Sequence, residues 1–320
     1  MTRKDNITFW RVIACVGVFV VHLGQAMCLD GGLRDISDLG AYGVEMFFVI
    51  SGYLLYKSFE ASDGLFKYYL KRAIRILPLY YVVIFYYFIT GTFIFHDVPV
   101  DTAGLGWSRY FVFLSGFVKA EDIYWSNLGM TWTIPVFVVI YILAPVFHKY
   151  INNYVMAWLL CIFSAWIRIK GLPFCANGNF MVLNYIFFFS VGLIIYYTVE
   201  AEKENITILL FALATFLFVF KNCSGDMIIT MLFGICFIVT MDITFKNQFI
   251  RKIFYAFDKY SYTIYLVQGI VFKDLVYRND FNWISTLLVS IVGTGILSIL
   301  AYHLIEKPIA GMQMKSPSNS

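Results

Sequence analysis

Hydrophobic residues along this chain come in blocks, with charges gathered at the block edges. A membrane span needs about 20 mostly apolar residues. Ten stretches meet or approach that: 7–27, 40–58, 74–95, 130–147, 154–170, 180–199, 206–220, 227–245, 260–277 and 282–305. The pattern predicts an all-α, polytopic membrane protein of about ten transmembrane helices. Trp107 to Val118 is too short for an eleventh span and contains Arg109, so it reads as part of a long loop over 96–129.

Basic residues orient this map, because cytoplasmic segments are enriched in Lys and Arg. With the N-terminus inside, sixteen of the 24 basic residues fall on the inner side. Both termini are therefore expected in the cytoplasm, and an eleventh span would spoil the bias. The first span carries no small-x-small cleavage site and is expected to be retained. Residues 1–310 read as one integral-membrane domain, and 311–320 as a short polar tail without a fused second domain.

Composition supports this reading. Of 320 residues, 60% are hydrophobic and only 14% charged, against about 25% charged in soluble domains. The net charge of +4 is small and scattered, which argues against nucleic acid as a partner. The six cysteines form no C-x-x-C pair, so no metal ribbon or redox motif is expected. Cys28, Cys175 and Cys223 fall near outer ends, where two of them could pair. Asn6-Ile-Thr8 and Asn205-Ile-Thr207 match a glycosylation sequon but lie on the predicted inner side, and read as chance.

Against this apolar background, ionisable residues inside spans are the candidates for chemistry, because burying them in hydrocarbon is costly. His22 follows ten mostly apolar residues, Val12 to Val21. Imidazole both takes and gives a proton near neutrality. Arg11 lies eleven residues earlier, almost three whole turns, so the two share a face with an axial gap of roughly 16 Å. Glu45 sits about five residues in from the outer end of the second span, and His22 about five from the outer end of the first. Antiparallel neighbours would bring them to one depth, where a carboxylate could orient the imidazole as a general base. Ser51 and Gly52 read as helix-packing residues.

Arg72 and Arg75, at i,i+3, share a helix face. Topology alone asks for basic residues there, but guanidinium groups also suit phosphate. In the long loop, Asp97, Asp101, Glu121 and Asp122 lie among Trp107, Tyr110, Tyr124 and Trp125. Acids and flat aromatics can hold sugars, and an interfacial aromatic belt is the plainer alternative. Trp107, Trp125 and Trp132 are thus candidate acceptor-binding residues.

The order of these features resembles a known family. Arg11-x10-His22 precedes Gly43-Val-Glu-Met-Phe-Phe-Val-Ile-Ser-Gly-Tyr53, then Lys71-Arg-Ala-Ile-Arg-Ile-Leu-Pro78. Trp132-Thr-Ile-Pro-Val-Phe-Val-Val-Ile-Tyr141, Ser261-Tyr-Thr-Ile-Tyr-Leu266 and Ile305-Glu-Lys-Pro308 follow. Together they resemble the acyltransferase-three family of integral-membrane O-acyltransferases. The resemblance implies a ten-span fold in the cytoplasmic membrane of a bacterium. It also implies transfer of an acyl group, usually acetyl, from cytoplasmic acyl-CoA to a hydroxyl of a glycan or lipid-linked glycan, with acetyl-CoA as substrate and no bound cofactor or metal. On the matched motifs, His22 is the essential histidine, Arg11 its partner arginine, and Arg72 and Arg75 the basic pair. The residues themselves then suggest a mechanism in which Arg72, Arg75 and Arg11 hold the acyl-CoA and Glu45 assists His22. Two positions depart from the family pattern: Phe137 stands where many members carry Glu, and Gln268 where the motif often ends in His. A proton-coupled transporter or flippase is the alternative, with His22 and Glu45 as a relay, although no internal repeat supports it. A sensory receptor would need larger cytoplasmic segments than this pattern leaves.

Overall fold

The computed structural model describes residues 5–96, 108–113, 131–170 and 181–313. Trp107 and Trp125, Cys175 and most of the long loop lie outside the described residues. Within them the chain is all helix, without a strand. The long helices are α1 (Asp5–Ala26), α3 (Gly43–Glu60), α4 (Leu65–Ile89), α6 (Thr133–Tyr150), α7 (Tyr154–Lys170), α8 (Met181–Glu200), α9 (Glu204–Phe220), α10 (Gly225–Val239), α11 (Gln248–Ile270) and α12 (Trp283–Ala301). Two short helices, α2 (Gly31–Asp38) and α5 (Ser108–Phe111), lie between them, and α13 (Lys307–Gln313) closes the described chain.

Six helical stretches are long and apolar enough to cross a membrane: Asp5–Ala26, Gly31–Glu60, Leu65–Ile94, Thr133–Tyr150, Val182–Glu200 and Trp283–Gly311. Glu204–Phe220 and Gly225–Val239 are apolar but shorter. Large apolar side chains line the outside, among them Leu209, Phe216, Phe220, Leu288 and Leu304. Helices that are apolar on their outer faces too need hydrocarbon around them, since water would leave this surface unfavourably wet. The protein is a membrane protein on these grounds.

Helix α3 is the spine of the bundle and packs most extensively against α8. Glycine makes that possible. A Cβ on Gly52 would run into the Phe189 backbone, and one on Gly192 into the backbones of Val49 and Tyr53. The two helices therefore cross backbone to backbone, the way small residues join helices in a bilayer. Around the crossing, Phe48 packs against Phe137, Tyr185 and Phe189. Helix α1 packs on α11 and α3, so the first and penultimate long helices meet at the centre.

Three differences from the sequence reading matter. The penultimate span was expected from residue 260, but α11 starts at Gln248, where the Asn247 side chain accepts from the Phe249 and Ile250 amides. Such a cap satisfies the otherwise orphaned first-turn donors, and hydropathy does not register it. The connection after α1 is folded into α2 rather than left as loop. Residues 108–113 pack against α4, with Arg109 and Tyr110 buried and the Tyr80 and Tyr81 hydroxyls donating to the Tyr110 and Phe111 carbonyls. Asn6, part of a chance sequon, is buried and donates to the Phe237 and Thr240 carbonyls. Cys28 and Cys223 are free thiols.

Candidate active site

Among the described residues, two neighbouring cavities between the central helices hold the candidate side chains. The first, about 130 Å³, is lined by Arg11, Arg72 and Arg75 with Ser51, Thr133, Phe137 and Tyr141. Sites for whole small ligands run to about 300–1,000 Å³, so this one has room for an arm of a larger molecule. The second, about 300 Å³, is lined by His22, Gln25, Glu45, Trp132 and Tyr185. Val44 and Tyr265 line both.

The three arginines come from two helices and are held differently. The Arg11 guanidinium pairs with Asp258 on α11 at 3.3 Å and reaches the Ser261 hydroxyl at 3.5 Å. Asp258 is fully buried and also accepts from Thr8. Arg72 lies over the Tyr141 ring at 4.5 Å, with Tyr68 at 5.6 Å, and its buried Nε has no hydrogen-bond partner among the described residues. Arg75 interacts electrostatically with Glu306, whose carboxylate accepts from Thr263 at 2.6 Å. The closing Ile305-Glu-Lys-Pro308 segment thus meets Arg75 of the basic pair and the Ser261–Leu266 segment. Arginines fixed in this way offer several N–H donors to one anionic group.

In the second cavity the His22 ring meets the Gln25 side chain at 3.1 Å from Nδ1 and lies 6.1 Å from the Phe272 ring. Glu45 shares the cavity, but the imidazole's hydrogen bond goes to Gln25, one turn along α1. Helix geometry explains this: i and i+3 lie on one face. Glu45 Oε2 is buried and without a hydrogen-bond partner among the described residues. Its charged neighbours are Arg168 and Asp226, which pair with each other. Arg168 also donates to the Asn184 carbonyl at 3.1 Å and lies over Phe188 at 4.9 Å. Trp132 enters the same cavity beside Tyr185, with ring centroids 4.8 Å apart.

Sequence reading missed Asp258, Arg168, Asp226 and Tyr265. Asp258 falls before the apolar run that begins at residue 260, although α11 runs through it and buries it. Arg168 counted only as one of the basic residues on the outer side and Asp226 was not singled out, and only folding puts them beside Glu45. The two departures have clear settings. Phe137 lines the first cavity and stacks on Phe48 at 4.6 Å. Gln268 is buried and donates to the Tyr265 carbonyl at 3.3 Å.

A family model described as an acyltransferase domain matches residues 4–303. The chain belongs to the acyltransferase-three family. It is 29% identical over 164 residues to Nodulation protein 10 of Rhizobium leguminosarum bv. viciae, which is 45% of this chain and 44% of that protein. It is 29% identical over 100 residues to Acyltransferase MdmB of Streptomyces mycarofaciens, 30% of this chain and 25% of that protein. The chain thus spans less than half the length of these curated relatives. No solved structure matches it.

Proposed function

We propose that the protein transfers an acyl group, acetyl as the usual case, from cytoplasmic acyl-CoA to a hydroxyl of an extracytoplasmic glycan. The observation that carries this reading is the pairing of cavities. One is lined by three arginines and the other by a histidine and a carboxylate, and two side chains are common to both. Arg72 and Arg75, with Arg11, would bind the CoA phosphates, and the first cavity would take the pantetheine arm. The acceptor hydroxyl would enter the second cavity beside His22, with Trp132 against the sugar.

The reaction then balances without a bound cofactor. His22 takes the hydroxyl proton as the oxygen attacks the thioester carbon. A C–O bond forms, the C–S bond breaks, and the thiolate leaves to be protonated. Glu45, with a bare carboxylate oxygen in the cavity, stabilises the imidazolium electrostatically or accepts a second acceptor hydroxyl. A positioned general base contributes about 10²–10⁴-fold, so His22→Ala should lose at least a hundredfold. The test is incubation of membranes with labelled acetyl-CoA and analysis of the glycan fraction for alkali-labile acetyl esters. Wild-type transfer rates in the His22→Ala protein would refute the assignment.

A further inference from the structure

Val44 and Tyr265 are the side chains that both cavities share. Val44 stands in the first turn of α3, one residue before Glu45. Tyr265 projects from α11 and is held at both ends. Its hydroxyl shares a 2.9 Å hydrogen bond with the Thr133 hydroxyl of α6, and its ring sits edge-on to Phe47 at 6.4 Å. Phe47, Ile50, Ile134 and Phe137 make the nearby wall of the first cavity apolar. A side chain that lines two cavities lies between them. A thioester carried upward from the arginines must therefore bring its acyl carbon to this partition to meet an oxygen beside His22.

We propose that Val44 and Tyr265 form the acyl-selecting wall, the pair of side chains that sets which acyl chain lengths the site accepts. The proposal rests on the donor and acceptor assignment above. Room for the acyl group is what the valine branch and the tethered ring leave free. A two-carbon acyl group fits against the wall, whereas a longer chain needs the wall trimmed or the Tyr265–Thr133 bond released. In an apolar pocket a single methylene is worth about 10–200-fold in discrimination.

The test measures binding of free CoA and of the non-hydrolysable thioethers S-ethyl-, S-butyl- and S-hexyl-CoA to the purified protein in detergent. Wild type should bind S-ethyl-CoA better than S-butyl-CoA. Val44→Ala should raise the S-butyl to S-ethyl affinity ratio by about tenfold, Val44→Leu should lower it, and Tyr265→Phe should raise it. Opposite shifts at one position separate a size filter from general loosening, which would move both variants the same way. Thermal unfolding reports whether each variant is folded, and the two Val44 variants back each other. If free CoA binds but the ratio is the same in every variant, the wall assignment is wrong and the donor site stands. If wild type binds neither CoA nor any thioether, the donor assignment falls and this inference with it.

Discussion

Arg72 illustrates how a single residue can be legible in sequence while its setting is not. Spacing put Arg72 and Arg75 on one face, and both line the first cavity. Nothing local showed that Arg72 would lie against Tyr141, because that ring comes from another helix. Charge-assisted hydrogen bonds are worth about 1.5–3 kcal/mol each, so Arg72→Ala with Arg75→Ala should raise KM for acyl-CoA at least tenfold, with kcat changed far less. Initial-rate kinetics over an acyl-CoA series check this. Asp258 carries a different prediction. Removing one partner of a buried pair leaves an uncompensated charge and costs up to about 3–5 kcal/mol. Asp258→Asn should lower the unfolding temperature in detergent, and adding Arg11→Met should restore part of the loss. Additive losses would mean the pair does not couple.

At the scale of elements, apolar blocks located the long helices because hydrophobicity is what a bilayer reads. The boundaries were less visible, since caps and amphipathic turns decide them. Asn247 starts α11 twelve residues or so before the apolar run, through hydrogen bonds that mean hydropathy cannot show. The α3–α8 crossing was half legible: Gly52 suggested close packing, but its counterpart Gly192 was not singled out. Overpacking a tight contact costs about 1–3 kcal/mol. Gly192→Val should therefore destabilise the protein by that order, and more than the same change at Gly295, which faces open space. Thermal unfolding of the two variants side by side gives the comparison. Because Glu45 rides on α3, the Gly192 variant should also lose activity beyond its loss of folded protein.

For the whole molecule, the ten apolar segments of the sequence each overlap one of the ten long helices among the described residues, and six stretches are long and apolar enough to cross a membrane. Charge bias supplied the orientation, a property no bundle of helices carries by itself. Reporter fusions at the polar tail and single-cysteine labelling after α6 and α8 should report the cytoplasmic side. A periplasmic signal at the tail would overturn the ten-span arrangement. The partition at Val44 and Tyr265 also bears on the energetics of the membrane. In the proposed reaction the acceptor's proton is released on one side of it, while the departing thiolate needs a proton on the other. With an apolar valine and a tethered ring between them, each turnover takes a proton from the cytoplasm and liberates one outside. An inside-negative voltage opposes that movement, by about 2.3 kcal/mol per full charge per 100 mV. Transfer in proteoliposomes should therefore slow as the interior is made more negative, and a rate indifferent to voltage would mean that the proton passes through the wall itself.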